Sequence, residues 1–326
     1  ENVLKVKVEK NLTIWYLPMK HLGAHGFMDC KYLDPQLKAL FCFGDQQIFL
    51  PHVYRWCRRR RIPFVAYVGT AHSLDSNFKS KVMNALFAAG TLRIYKKNPV
   101  LAKTSAAKEE LRQLGVPHAV IAPVGLDTAV LKKNIPADEK MRLRKEHGFE
   151  ADDVILCNVS RLSWEKRPLE LIDLFLQVKG KKKFKLIIVG NGPLEEELNE
   201  KIRKNGLEKE VKIYPNVPYE KMWEIYEMSD YYLNMNKGEI FGMAIMEAVY
   251  YKTSVAAIRA LGPSVTLKDM KGHKLCENDD EMAEWITGPY PSEKDLQESS
   301  EKMAATFTWD RCADAFLQAS SEKSSR

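Results

Sequence analysis

Short runs of β-branched and aromatic residues alternate with stretches of helical periodicity along this chain, a pattern that predicts parallel α/β architecture. In the first half the spacing predicts strands over residues 12–17, 39–43, 64–68, 93–95 and 119–121. Helices are expected over 47–60 and 105–114, the second stopped by Gly115 and Pro117. A charged helical stretch over 138–150 precedes the apolar run Val-Ile-Leu-Cys-Asn-Val, which places a domain boundary near residue 150. Beyond it the alternation resumes, with strands over 154–159, 185–189, 211–213, 231–234 and 253–257. They are separated by helices over 167–178, 194–205, 219–228 and 241–251. After an acidic polar stretch, an amphipathic helix over 309–319 closes the chain. The expectation is two tandem α/β domains, 1–150 and 151–308, followed by a helix and tail over 309–326 that packs back on the first domain.

Composition narrows the class. A chain of 326 residues is about twice the usual single-domain length, and 45% hydrophobic against 29% charged residues is the balance of a folded globular protein. No run approaches the roughly 18 apolar residues that a membrane span requires. The six cysteines form no Cys-x-x-Cys pair, so neither a zinc ribbon nor a disulfide framework is expected, and a reducing, cytoplasmic setting follows. The chain opens at Glu1 without a leader pattern, which suggests a trimmed beginning.

Charge is divided unevenly. Residues 1–150 carry 25 basic and 13 acidic side chains, whereas 151–326 carry 25 and 30. The densest cluster is Arg58, Arg59, Arg60 and Arg61 at the end of a predicted helix. Three readings fit it: a solvated helix end, a patch for anionic headgroups or a phosphorylated acceptor, or a nucleic-acid surface. The last lacks any zinc pattern, helix-turn-helix signature or aromatic RNA-binding motif.

Two motifs point to chemistry. In Lys-Gly-Glu-Ile-Phe-Gly-Met-Ala-Ile-Met-Glu-Ala, the carboxylates Glu239 and Glu247 are separated by seven residues. Eight helical steps would span roughly 12 Å, enough to reach hydroxyls at both ends of a nucleotide-sugar whose diphosphate lies at the helix mouth. Gly242 permits close approach of backbone to ligand, and Ile240 and Phe241 flank that approach. The alternative is two ordinary surface glutamates. The second motif, Ser-Arg-Leu-Ser-Trp-Glu-Lys-Arg-Pro, follows the apolar 154–159 strand and carries Arg161 and Lys166 into a loop where open α/β sheets bind ligands. Two further turns, Val-Gly-Asn-Gly-Pro with Gly190 and Asn191, and Pro-Val-Gly-Leu-Asp at 123–127, read by themselves only as tight turns.

Together and in this order, these fragments resemble the GT-B retaining glycosyltransferases of family 4, over residues 63–316. The resemblance implies two Rossmann-like domains facing a cleft, the first an acceptor-side domain and the second a nucleotide-sugar-binding domain. It implies that Glu239 lies by the donor sugar, that Glu247 contacts the ribose and that Arg161 and Lys166 grip the diphosphate. His72, at the end of a strand-like segment over 65–73, matches a histidine facing the donor sugar in that family. The pattern departs from the family at Val124, Ser160, Arg167 and Leu261-Gly-Pro-Ser-Val, and the family's first strand and glycine-rich loop have no counterpart before Leu12. The implied reaction is retaining transfer of a hexose from a nucleoside-diphosphate sugar, of the UDP type, to a hydroxyl of a glycan or lipid-linked acceptor. No cofactor or metal is expected, because cations carry the diphosphate charge and no Asp-x-Asp stands at a strand end. Peripheral contact with the inner face of an anionic membrane is expected, and nucleic acid is not. The rival readings are a non-catalytic nucleotide-sugar-binding partner and a nucleic-acid-binding protein using the basic half.

Overall fold

In the computed structural model the residues described are 3–22, 25–43, 49–71, 78–132 and 134–321. They form two compact units, Glu1–Pro123 with Asp310–Arg326, and Val124–Trp309. The first unit opens with two antiparallel hairpins, β1 (Leu4–Glu9) with β2 (Leu12–Tyr16) and β3 (Met19–Leu22) with β4 (His25–Met28). Four parallel strands follow in the spatial order β5 (Leu40–Phe43), β6 (Phe64–Val68), β7 (Val100–Ala102) and β8 (Val120–Ile121). They are connected through α1 (Leu50–Arg60), α2 (Phe78–Ala89), α3 (Thr91–Tyr95) and α4 (Ser105–Gln113). Every residue of β6 is buried, as expected of a parallel strand covered on both faces.

Two expectations fail here for identifiable reasons. Residues 93–95, expected as a strand, belong to α3, where Leu92, Ile94 and Tyr95 are buried. The strand itself comes after the Asn98-Pro99 turn, at β7. A three-residue run is too short for its period to separate helix from strand. The 12–17 run does form a strand, but it pairs with β1 in a hairpin instead of joining the parallel sheet.

The second unit begins with α5 (Glu139–Glu146) and then alternates regularly: β9 (Val154–Val159), α6 (Pro168–Val178), β10 (Phe184–Val189), α7 (Glu195–Lys204), β11 (Val211–Tyr214), α8 (Met222–Met228) and β12 (Tyr231–Asn234). It continues with α9 (Met243–Tyr250), β13 (Ser254–Ile258), α10 (Leu261–Thr266), β14 (Lys274–Cys276), α11 (Asp279–Thr287) and α12 (Glu293–Thr306). All six strands are parallel in the order β11-β10-β9-β12-β13-β14. The chain therefore winds outward from β9 in one direction and then, from β12, in the other. That is the doubly wound Rossmann order, with its switch point between β9 and β12. Alternation within the strands fills two cores: Ile155, Cys157, Ile187, Val255 and Ala257 on one face, and Leu156, Leu186, Ile188, Ala256 and Ile258 on the other.

Helix α5 packs with the second unit. Arg144 Nε donates to the Met228 carbonyl at 2.9 Å, and its guanidinium meets Asp230 at 2.7 Å, where Lys140 also binds at 2.9 Å. The compact units accordingly divide at Pro123 and Val124 rather than near residue 150. Asp279 and Asp280 open α11, capped by the Asn278 side chain accepting from Glu281 N at 2.9 Å. A last helix, α13 (Trp309–Ser321), lies for all but its first residue in the first unit. There Phe316 packs edge-on against Phe41 and Tyr67, with ring centroids at 4.7 and 5.1 Å. Among the described residues no helix is long and apolar enough to cross a membrane.

Candidate active site

The site is built where the doubly wound sheet reverses direction. Strand β9 delivers the loop that begins at Ser160, and β12 delivers the loop that runs from Met235 to Gly242. Flanking strands that diverge at this point leave a crevice at their carboxyl ends. Lys166 stands in a 3-10 turn over Trp164–Lys166, and its Nζ lies 2.8 Å from Glu239 Oε2. Both side chains are mostly shielded from water, at 22% and 15% exposure. Asn236 Nδ2 donates to the same carboxylate oxygen at 3.1 Å, while its own Oδ1 accepts from Gly238 N at 2.9 Å. Asn234, the last residue of β12, accepts from Asn236 N at 3.0 Å, so the loop is tied back to the sheet. Burial alone would raise the pKa of Glu239, but Lys166, Asn236 and Asn234 together outweigh it and hold the carboxyl below its ordinary value. It is therefore an ionised acceptor at neutral pH rather than a proton donor.

Neighbouring backbone fixes these loops. Gly190 has φ of 141°, and a Cβ there would lie 1.8 Å from the Ser160 carbonyl oxygen. Asn191 accepts from Leu162 N at 2.8 Å through its carbonyl, and its side chain donates to the Pro215 carbonyl at 3.1 Å. The Val-Gly-Asn-Gly turn is thus keyed onto the loop that carries Arg161 and Lys166, a function its sequence does not reveal. Gly242, with φ of 87°, is the left-handed residue ahead of α9, and no side chain caps that helix. The Glu239 carbonyl accepts from Gly262 N at 2.8 Å, so the departure Leu261-Gly-Pro still braces the glutamate. Arg167, one of the departures from the family pattern, keeps a left-handed backbone at φ of 55°. Its guanidinium is clamped by Asp279 at 2.8 and 3.1 Å.

Glu247 lies in the second turn of α9 and is buried. Its Oε2 accepts from Tyr226 Oη at 2.7 Å and its Oε1 from Tyr219 Oη at 3.4 Å. Burial raises its pKa despite both phenols. It lines a small cavity with Tyr219, Trp223, Tyr251 and Leu131. These aromatic residues were missed in the sequence, since nothing in their spacing set them apart from core. Ile240 is half-buried. The Phe241 ring is committed to the core against Phe307 at 6.0 Å, so Phe241 can meet a ligand only through its backbone. Arg161 is 76% exposed and among the described residues pairs only with Glu165, at 2.9 Å, leaving it free to turn toward an anion. His72 lies outside the described residues. Arg58 and Arg61 line a separate cavity in the first unit, while Arg60 covers the Trp56 ring at 4.6 Å and Arg59 is exposed. Among the described residues no group of three or more His, Cys, Asp or Glu is placed to hold a metal ion.

The sequence profile of the family described as Glycosyl transferases group 1 matches residues 139–303, half of the chain. The chain belongs to that family. As a group 1 member it is 26% identical over 297 residues to D-inositol 3-phosphate glycosyltransferase of Mycobacterium avium, covering 80% of this chain and 65% of that protein. It is 24% identical over 139 residues to alpha-monoglucosyldiacylglycerol synthase of Streptococcus pneumoniae, covering 42% of this chain and 32% of the relative. This group 1 chain thus spans less than two thirds of either protein's length. The crystal structure of Anabaena HepE in complex with UDP and glucose superposes with a TM-score of 0.70 at 18% identity, covering 90% of this chain and 79% of that one. The likeness establishes the fold, GT-B, with its paired α/β units.

Proposed function

We propose that this group 1 protein transfers a hexose from a nucleoside-diphosphate sugar, of the UDP type, to a hydroxyl of a glycan or glycolipid acceptor. The anomeric configuration would be retained. The observation that carries this reading is the 2.8 Å contact between Lys166 and Glu239 across the switch point of the second sheet, one partner from each strand that flanks it. Such an arrangement, a cation beside an ionised acid, suits a sugar joined to a diphosphate. Lys166 and Arg161 neutralise the departing diphosphate, the uncapped amino end of α9 adds unpaired N–H groups, and Glu239 accepts hydrogen bonds from sugar hydroxyls. Glu247, held by Tyr226, receives ribose hydroxyls in place of Tyr219. His72 is assigned to the donor sugar by the family pattern. The UDP complex of Anabaena HepE and the diacylglycerol-linked product named for the streptococcal relative support a uridine donor and a glycolipid acceptor.

The basic run Arg58–Arg61 is assigned to peripheral contact with an anionic membrane surface, at the cytoplasmic face. A donor screen reading release of nucleoside diphosphate, with and without acceptor alcohols, tests the whole reading. Turnover that Glu239→Ala abolishes, with a cooperative unfolding transition retained, is expected. Tight donor binding without turnover under every acceptor would instead favour a non-catalytic binding partner, and no binding of any nucleotide-sugar would remove both.

A further inference from the structure

A large cavity of the first unit lies at the opposite end of its sheet from the edge where open α/β sheets bind ligands. It has a volume of about 1180 Å³, and it opens at the amino ends of β6, β7 and β8, beside Pro63, Phe64, Pro99, Val100 and Val120. Ligands of open parallel sheets bind at the carboxyl ends of the strands, so this cavity is no part of a transferase crevice. Its composition is divided. The floor is apolar, formed by Ile62, Phe64, Val100 and Leu101 with Ala315 and Ala319 of α13. The rim carries Arg58 and Arg61 from the end of α1, and Lys96 and Lys97 from the segment that follows α3. No Asp or Glu lines it, and among the described residues no carboxylate pairs with any of the four cations.

The ordinary explanation for basic residues at a helix end is the helix dipole, and α1 does end in Arg58, Arg59 and Arg60. A helix end supplies about half a negative charge, however, against four full positive charges here. The surplus is a standing positive field over an apolar hollow. Held in place beside it, His118 Nε2 lies 2.9 Å from the Asn98 carbonyl and 3.1 Å from that of Tyr95, which fixes the wall between the two lysines and β8.

We propose that this cavity binds one phosphate-bearing amphiphile, with the phosphate among Arg58, Arg61, Lys96 and Lys97 and the apolar body over Phe64, Val100 and Leu101. The proposal uses the arginine run assigned above to membrane contact, but it adds a discrete pocket to what that reading treats as a surface field. It does not depend on sugar transfer. A flat basic patch holds anions by charge alone and is indifferent to what the phosphate is attached to, whereas a pocket with an apolar floor discriminates.

The test measures binding to the full chain by calorimetry, using monomeric dihexanoyl phosphatidic acid, inorganic phosphate and dihexanoyl phosphatidylcholine as probes. The phosphatidic acid is expected to bind at least tenfold more tightly than either of the others. Lys96→Glu with Lys97→Glu should weaken it at least tenfold. Gln318→Trp, an exposed position on α13 at the mouth, should weaken phosphatidic acid while leaving inorganic phosphate unchanged, and unfolding midpoints check that both variants fold. Equal binding of phosphate and phosphatidic acid, equal binding of the two lipids, or no lipid binding would each overturn the proposal. Flotation with phosphatidylcholine vesicles, with and without phosphatidic acid, separates the two sources of such a ligand. Vesicle binding that Gln318→Trp abolishes assigns a bilayer lipid, and monomer binding with vesicles ignored assigns a soluble phosphate ester.

Discussion

Lys166 and Glu239 neutralise each other in the structure, and under the proposed function a diphosphate entering beside them would compete for the lysine. Charge-assisted hydrogen bonds contribute about 1.5–3 kcal/mol each, so Arg161→Ala with Lys166→Ala should weaken nucleoside diphosphate binding roughly a hundredfold or more. Nucleoside binding should change little, and equal losses for both ligands in a calorimetric comparison would remove the diphosphate assignment. The two glutamates titrate in opposite directions. Glu239 is held below its ordinary pKa, so its ion pair stabilises the fold above that value and the contribution is lost as pH falls through the lowered one. Glu247 is raised by burial, so the folded state binds the extra proton and stability declines as pH rises through the interval above 4.5. His273 gives the clearest signal. Burial lowers it from 6.5 to about 4, and its Nδ1 accepts from Val255 N at 3.0 Å while its Nε2 has no partner. The unfolded chain takes up a proton that the folded one refuses, so stability should fall as pH drops from 6.5 toward 4. Urea midpoints measured across that range should slope in the wild type and lose most of the slope in His273→Leu.

At the scale of elements, the turns decide whether the site exists. Gly125 shows why: a Cβ there would lie 2.1 Å from the Trp309 backbone nitrogen, in the same place where Leu126 N donates to the Phe307 carbonyl at 2.9 Å. The Pro-Val-Gly-Leu-Asp turn and the Thr-Trp segment are two halves of one junction, and Gly125→Ala should destabilise the protein by about 2–4 kcal/mol through forced backbone displacement. Chemical denaturation of the purified variant checks this. Arg167→Gly presents opposed effects. Relief of the left-handed backbone would contribute about 1 kcal/mol, while loss of the Asp279 clamp removes a half-buried charge pair and leaves an aspartate unpaired at the start of α11. The second effect is larger, so a net loss of about 1–2 kcal/mol is expected, and a stabilised variant in thermal unfolding would reverse that ranking.

These turns also mark where the sequence could and could not be read. The strands of the second unit were legible because VILCNV, LIIV and YYLN are apolar runs bounded by turn residues, and the chemistry-bearing loops follow them directly. The glycine turns looked generic because their purpose lies in what they touch: Gly190 meets Ser160, thirty positions earlier, and no local pattern encodes that contact. Residues 93–95 misled because burial on a one-turn helix and burial on a short strand leave the same three letters. The acidic stretch before α13 was legible only as polar, although Ser292 accepts from Asp295 N and starts a helix whose Leu296 and Met303 are buried. Tyr226 and Tyr219 escaped notice because aromatic residues spaced as in a core are read as core.

At the scale of the whole molecule, the two α/β units do not coincide with two halves of the chain. The first is assembled from residues 1–123 and 310–326, since α13 closes over Phe41, Phe43 and Tyr67 with Phe316, and Cys312 Sγ lies 3.8 Å from Tyr67 Oη. Removal of residues after Trp309 should therefore damage the distant first unit and spare the second. Limited proteolysis of the truncated chain should cut within 1–123 while 124–309 survives, and the reverse pattern would contradict the assignment of α13.

That return of the last helix has a consequence for biosynthesis. A ribosome finishes residues 124–309 before it makes the rest of α13, so the second unit can fold as soon as it emerges. The first unit, made earlier, must wait, with its aromatic strand edge uncovered, until α13 leaves the exit tunnel. Order of manufacture and order of completion are reversed, and nascent-chain stalling near residue 309 would leave a finished second unit joined to an unfinished leading one.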